Sequence, residues 1–320
     1  MDRRNAYPNV TVYHPDPETA AEYYRVLGRE FPELNASVAS DPETLAPMIP
    51  DTEILVCFRP PVEALKEATS LKWIHYVTAG VDALLPARNH LQGVTVTNFA
   101  GRPSVADYAM GAVLMLHWNV RKLIDDQRAG VWDHFKTPPL EEFTVGVIGL
   151  GSIGQDIARR ATGFGMTVLG MRRSARATPH VDQVYAPDQL ADFLPRCDFV
   201  VLALPGTDGT RQFLGADAFR LMKDSAFLIN VGRGDIVDQA ALIEALQSGQ
   251  IAGAALDVFE QEPLPKVNPL WAMENVILSP HIAGATSRYV ERVVTRFGEA
   301  LEHYQRGEDL PHSVNLKLGY

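Results

Sequence analysis

Residues 149–154 read Gly149-Leu150-Gly151-Ser152-Ile153-Gly154, and no other stretch constrains this chain as tightly. An apolar run, Thr144-Val145-Gly146-Val147-Ile148, comes just before and reads as a buried strand; residues 153–162 come after and read as a short helix. Strand, Gly-x-Gly-x-x-Gly and helix in that order form the dinucleotide-binding turn. Gly149 allows the tight turn. Gly151 has no side chain, so a pyrophosphate can approach the backbone. Gly154 lets helix and strand pack closely. The amides at the helix start then meet the phosphate charge, aided by the helix dipole.

The pattern around the fingerprint predicts an α/β fold with two Rossmann-like domains. Before it, strand candidates at 10–13, 53–58, 71–77 and 94–98 alternate with helix candidates at 18–31 and 61–68. Asp16 reads as the cap of the first helix, with Pro17 in its first turn. Such alternation predicts a parallel sheet covered by helices. This stretch has no glycine fingerprint, so it is a second α/β unit with another task. Residues 104–129 read as one long helix with Ser104 as its cap and Asp107 in its first turn. Its middle, 109–116, is apolar all round, as in a helix buried between layers or against a second subunit. After the fingerprint, strand candidates at 167–171, 199–204, 226–231, 251–258 and 276–279 alternate with helix candidates at 188–194, 216–222 and 238–248. This half reads as a doubly wound parallel sheet. A last helix is predicted over 285–306.

Composition narrows the function classes. The chain has 320 residues, 46% hydrophobic and 21% charged, with a formal net charge of −10. The size suits two domains, each with its own core. The acidic balance argues against nonspecific nucleic-acid binding, which needs a basic face. An anionic substrate would need locally placed arginines and amides. The two cysteines, Cys57 and Cys197, lie far apart and suggest neither a disulfide framework nor a zinc site. The start, Met1 to Asn5, is not followed by an apolar signal core, and no uncharged run is long enough to span a bilayer. The expectation is a reduced, cytoplasmic protein with no membrane partner and no metal.

The end of the second strand of the nucleotide-binding half selects the cofactor. An NAD site places a carboxylate there, on the ribose 2′-hydroxyl. This chain instead reads Arg172-Arg173-Ser174, and Arg172 lies 21 residues past Gly151. An arginine can fork onto a 2′-phosphate, and Ser174 can add a hydrogen bond. These residues favour NADP(H) over NAD(H). Three further strand ends carry groups suited to chemistry. Arg233, in Asn230-Val231-Gly232-Arg233-Gly234, can fork onto a carboxylate or polarise a carbonyl. Asp257 ends the next strand, and Glu260 and Glu262 follow it. His281, in Ser279-Pro280-His281-Ile282-Ala283-Gly284, is suited to donate a proton near neutral pH. A carboxylate bonded to it would fix its tautomer and favour its charged form; on sequence grounds Glu260 and Glu262 are equal candidates.

Through these stretches together, the chain resembles the D-isomer-specific 2-hydroxyacid dehydrogenases. The likeness rests on Thr78-Ala79-Gly80-Val81-Asp82, Ser104-Val105-Ala106-Asp107-Tyr108, the fingerprint, Leu204-Pro205-Gly206-Thr207, and the Arg233, Asp257–Pro263 and His281 segments. It is most similar to the glyoxylate/hydroxypyruvate reductase A branch, through residues 141–146, 261–265, 269–271 and the Gly319-Tyr320 end. The resemblance implies that His281 protonates the nascent alkoxide and that Glu262 is its partner. Arg233 would bind the substrate carboxylate and polarise the keto oxygen. Ala79 and Gly80 would hold the carboxylate with their amides, and Asp257 would bond the nicotinamide carboxamide. Ser152 and Ile153 would meet the pyrophosphate. Leu204, Pro205, Thr210, Val231, Gly232, Gly284 and His281 would also line the cofactor. Arg59, beside Phe58 at a strand end, is a candidate second anion contact. Asp107 stands where many members have glutamate.

The implied architecture is a substrate domain of residues 1–101 plus 286–320 and a dinucleotide domain of 102–285, with the active site in the cleft between them. The last helix would return to the first domain, and the 104–129 helix would build a homodimer interface. The expected activity is reduction of a small 2-oxoacid to a D-2-hydroxyacid with NADPH. The alternatives are a formate, phosphite or phosphoglycerate-type dehydrogenase on the same scaffold, or a non-enzymatic dinucleotide-sensing scaffold. The phosphoglycerate type usually carries a further regulatory domain.

Overall fold

The computed structural model describes residues 7–99 and 103–319. It divides into two compact units, Met1–Ala100 with Thr286–Tyr320, and Gly101–Ala285. The predicted boundary between 101 and 102 lies outside the described residues, as do Met1 to Asn5 and Tyr320.

The first unit has five parallel strands: β1 (Asn9–Tyr13), β2 (Asn35–Ala39), β3 (Ile54–Cys57), β4 (Trp73–Tyr76) and β5 (Thr95–Asn98). Their order is β2-β1-β3-β4-β5. β3 and β4 are buried along their whole length, as expected of parallel strands covered on both faces. Helices α1 (Pro17–Glu30), α2 (Pro42–Leu45) and α3 (Val62–Lys66) connect them. Asp16 caps α1 through the Thr19 amide at 2.9 Å. β2 and α2 were absent from the sequence reading. β2 is an edge strand with only Ala39 buried, so it lacks the apolar run that marks a central strand. The last helix of the chain (Tyr289–Arg306) belongs to this unit and starts four residues later than predicted. Its Phe297 ring stacks on Trp73 at 5.0 Å between centroids and meets Phe31 edge-on. Tyr304 donates to Glu53 at 2.6 Å.

The second unit opens with α4 (Pro103–His117) and α5 (Val120–Ala129). The single long helix predicted over 104–129 is therefore two helices. Asn119 separates them with φ 43, a left-handed conformation that asparagine tolerates better than most residues, and its side chain accepts from the Lys122 amide. Nor is Ser104 the cap: the helix already includes Pro103, whose fixed φ suits a first turn. In α4 the small and apolar residues Ala109, Ala112, Val113 and Leu116 are buried, while α5 buries none. Asp107 pairs with Arg160 at 2.7 Å.

Seven parallel strands follow: β6 (Thr144–Ile148), β7 (Thr167–Met171), β8 (Gln183–Tyr185), β9 (Phe199–Leu202), β10 (Phe227–Asn230), β11 (Gly253–Leu256) and β12 (Val276–Leu278). Their order is β12-β11-β10-β9-β6-β7-β8, a doubly wound sheet. Helices α6 (Ser152–Gly163), α7 (Leu190–Phe193), α8 (Ala216–Leu221) and α9 (Gln239–Gln247) cover it. The helix predicted over 188–194 is shorter, with α7 between two 3₁₀ turns. β8, the second missed strand, also sits at a sheet edge. The final helix, Tyr289–Arg306, is α10. Cys57 and Cys197 are both buried and free. Among the described residues, no helix is long and apolar enough to cross a membrane.

Candidate active site

The chemistry-bearing residues of the second unit all follow the carboxyl ends of its strands. In an open α/β sheet this is where ligands bind, at the point where strand order reverses. Here that point is β6, flanked by β7 and β9. Gly149 follows β6 with φ 103, and a β-carbon there would lie 2.7 Å from the Ala203 carbonyl oxygen. A β-carbon on Gly154 would come within 1.9 Å of the Gly149 carbonyl oxygen. Only glycine fits at either position. At Gly151 the same test finds open space. No side chain caps α6, and the Ser152 and Ile153 amides make no hydrogen bond among the described residues. Open room beside unused helix-start amides fits a pyrophosphate.

Arg172 follows β7 at the next position in the sheet. Its Nη1 reaches only the Thr178 hydroxyl, at 3.4 Å, and no ion pair holds it among the described residues. Partial burial and the nearby positive charge of Arg176 both pull its pKa down. Two like charges kept close invite an anion between them. Arg173 and Ser174 are exposed beside it. The residues present therefore fit a dinucleotide with a phosphate on its ribose. After β9, Leu204 and Pro205 are partly exposed, and the Thr210 hydroxyl donates to the Pro205 carbonyl at 2.7 Å, closing its own loop.

Arg233, Glu262 and His281 follow the neighbouring strands β10, β11 and β12. Asn230 shapes the Arg233 loop: its Nδ2 donates to the Arg233 carbonyl, and its Oδ1 accepts from the Gly232 amide, both at 3.0 Å. Arg233 Nη1 donates to the Gly232 carbonyl at 2.8 Å. Val231 is buried behind it. His281 Nδ1 lies 2.8 Å from Glu262 Oε2, and Glu262 Oε1 accepts from the Phe259 amide at 3.1 Å. Glu260, the other sequence candidate, turns away and accepts from the Gln239 amide. Burial alone would raise the Glu262 pKa. The His281 and Phe259 hydrogen bonds, with the charges of His281 and Arg233, outweigh it and hold the carboxyl below its ordinary value. The pair leaves His281 Nε2 as the ring nitrogen for other work. Gly284 is half-buried at the end of the same loop.

Asp257 is 1% exposed. Its carboxylate accepts from Ser279 Oγ and from the Ile282 and Ala283 amides. Ser279 in turn meets the Tyr108 hydroxyl at 2.6 Å. Tyr108 and Ser279 had no role in the sequence reading. They stand 171 positions apart, and no local pattern signals their meeting.

In the first unit, Ala79 and Gly80 follow β4. Asn98 and Thr78 take their carbonyls at 2.6 and 2.9 Å, while neither amide is engaged among the described residues. Arg59 follows β3 with φ 47, its amide donating to the Tyr76 hydroxyl and its guanidinium 5.1 Å from the Phe58 ring centre. Among the described residues no cluster of side chains is arranged to hold a metal.

The family model for the D-isomer specific 2-hydroxyacid dehydrogenase NAD binding domain matches residues 110–283. A glyoxylate reductase from Korarchaeum cryptofilum is 36% identical over 266 residues, 80% of each chain. A D-3-phosphoglycerate dehydrogenase from Methanocaldococcus jannaschii is 34% identical over 298 residues, which cover 90% of this chain but only 56% of that protein. Among solved structures, an NADPH-dependent glyoxylate/hydroxypyruvate reductase from Sinorhizobium meliloti, in complex with NADP and sulfate, superposes with a TM-score of 0.88 at 28% identity. That match covers 98% of this chain and 100% of the other.

Proposed function

This chain belongs to the D-isomer specific 2-hydroxyacid dehydrogenase family, and from that premise we propose that it reduces small 2-oxoacids, such as glyoxylate or hydroxypyruvate, with NADPH. The observation that carries the reading is the His281–Glu262 pair at 2.8 Å, joining the segments that follow β12 and β11, with β11 next to β10 and its Arg233 segment. Glu262 fixes the imidazole through Nδ1, so His281 Nε2 delivers the proton to the carbonyl oxygen as it gains charge. Arg233 binds the substrate carboxylate and polarises the keto group, with the Ala79 and Gly80 amides as further carboxylate contacts. Arg59 is a secondary anion contact. When bound, the reduced nicotinamide supplies the hydride; the chain orients it through Asp257 and the strand-end loops. Arg172 and Ser174 favour NADPH by bonding the 2′-phosphate, which the NADP-bound relative supports. NAD(H) is the weaker alternative cofactor. We also place the protein in the cytoplasm as a homodimer formed through the 104–129 stretch, α4 and α5.

A second reading, a phosphorylated 2-hydroxyacid as substrate, has the phosphoglycerate dehydrogenase relative in its favour. The deciding experiment measures initial rates of NADPH loss with glyoxylate, hydroxypyruvate and phosphohydroxypyruvate, and repeats them with NADH. Fast NADPH oxidation with the two unphosphorylated acids supports the proposal. A clear preference for the phosphorylated acid supports the second reading. Tight dinucleotide binding without turnover of any 2-oxoacid overturns both.

A further inference from the structure

His281 holds φ 55, a left-handed backbone that residues with a side chain rarely adopt. Something must hold it there, and besides the Ser279 carbonyl, which the His281 amide meets at 3.1 Å, the bonds go to one residue. The amides of His281, Ile282 and Ala283 all donate to Asp257: to its carbonyl at 2.8 Å, to Oδ1 at 2.8 Å and to Oδ2 at 2.9 Å. Asp257 Oδ1 also receives the Ser279 hydroxyl at 2.5 Å. A carboxylate can only accept, so Ser279 donates to it and keeps a lone pair for the Tyr108 hydroxyl at 2.6 Å. Burial raises the Tyr108 phenol, which keeps its proton and remains the donor. The hydroxyls thus donate in series, Tyr108 on α4 to Ser279 and Ser279 to Asp257, and on that carboxylate they meet the amides donated by the turn that carries the imidazole.

We propose that Tyr108 and Ser279 are positioning residues for His281: the Tyr108–Ser279–Asp257 chain fixes the carboxylate that anchors the two amides after His281, while the Asp257 carbonyl takes the His281 amide, and so aims the imidazole at Glu262. The kinetic part of this inference rests on the reading of His281 as the proton donor. The anchoring part does not. Loss of either hydroxyl frees the Asp257 side chain to turn, loosens the 281–283 turn and lowers the fraction of time that His281 faces Glu262. Arg233 and the substrate carboxylate are untouched by this change.

The test compares Tyr108→Phe, Ser279→Ala, Ser279→Thr and both hydroxyl deletions together, with His281→Asn as the reference for loss of the acid. Tyr108→Phe and Ser279→Ala should lower the single-turnover rate of NADPH oxidation about three- to tenfold, with KM for glyoxylate within about twofold. Both should move the alkaline limb of the rate profile to lower pH. The double variant should be little worse than Ser279→Ala alone, because the two hydroxyls act in series. Ser279→Thr, which keeps the hydroxyl, should restore the parental profile. Amide exchange at 282 and 283, the two amides on the carboxylate, should quicken in both hydroxyl deletions. Parental rate and pH profile in both, while His281→Asn is inactive, would overturn the kinetic role. Parental exchange at 282 and 283 would overturn the anchoring. If His281→Asn reduces at the parental rate, the acid reading fails instead, and the exchange data alone decide the anchoring.

Discussion

On the proposed reading, much of the chemistry hangs on one distance, the 2.8 Å between His281 Nδ1 and Glu262 Oε2. Glu262 keeps its carboxylate against partial burial because two hydrogen bonds and two positive neighbours favour the charged form. Its folded pKa lies below the unfolded one. Its contribution to stability is thus fully present above the unfolded value and is lost as pH falls through the depressed folded one. At neutral and alkaline pH Glu262 stays charged, 2.8 Å from His281 Nδ1. Glu262→Gln removes that charge but keeps the shape. Reduction by this variant should slow about tenfold or more, and its alkaline limb should shift to lower pH; a kcat–pH profile with the parental limb would remove Glu262 from the proton path. Arg233 and Arg59 separate by the same logic. Arg233 is half-buried with its guanidinium on the Gly232 carbonyl, and Arg59 is exposed over a ring. Arg233→Ala should cost about 100-fold in kcat/KM and Arg59→Ala about fivefold at most, since an exposed ion pair is worth little. The reverse order would place the substrate anchor in the first unit. Sequence could nominate Arg233 and His281 from their strand ends, but not choose between Glu260 and Glu262. Two residues of spacing decide which carboxylate turns back to the histidine: the family resemblance names Glu262, and in the folded loop it is Glu262 that meets the ring while Glu260 turns to the Gln239 amide.

Elements were legible in proportion to their burial. The central strands β3, β6, β9 and β10 are nearly continuous apolar runs because helices cover both their faces. The edge strands β2 and β8 are half-exposed and polar, and neither could be read. The break at Asn119 escaped for another reason: helical periodicity continues across it, and one left-handed residue redirects the chain. α10 shows how an element remote in sequence completes a core. Val290, Val293, Val294, Phe297, Ala300 and Leu301 are all buried among residues from β1, β3 and β4. Phe297 is 0% exposed and stacked on Trp73. Phe297→Ala should therefore destabilise the first unit by about 3–5 kcal/mol. Trp132, 96% exposed, should tolerate alanine within about 0.5 kcal/mol. Urea unfolding of the two variants checks this, and equal midpoints would mean that α10 does not complete the first unit's core.

At the scale of the whole chain, a net charge of −10 coexists with Arg172, Arg173 and Arg176 gathered after one strand. On the proposed reading that local reversal of charge sets the cofactor preference; it lies wholly in the second unit, as do the fingerprint and the uncapped start of α6. A ligand that binds only the folded unit stabilises it by about 2.7 kcal/mol at a hundredfold its Kd. Spread over the unfolding entropy of all 320 residues, this raises the melting temperature by about 4 °C. If the second unit, about 185 residues, unfolds on its own, the same energy raises its transition by about 7 °C and leaves the first unit's transition in place. Calorimetry with NADPH, with NADH and without ligand thus tests two things at once. NADPH should give the larger shift at equal concentration, and Arg172→Asp should reverse that order. The number of transitions that move reports whether the units unfold together. Equal shifts from both cofactors, unchanged by Arg172→Asp, would remove the 2′-phosphate from the Arg172 site while leaving the fingerprint as the dinucleotide's anchor.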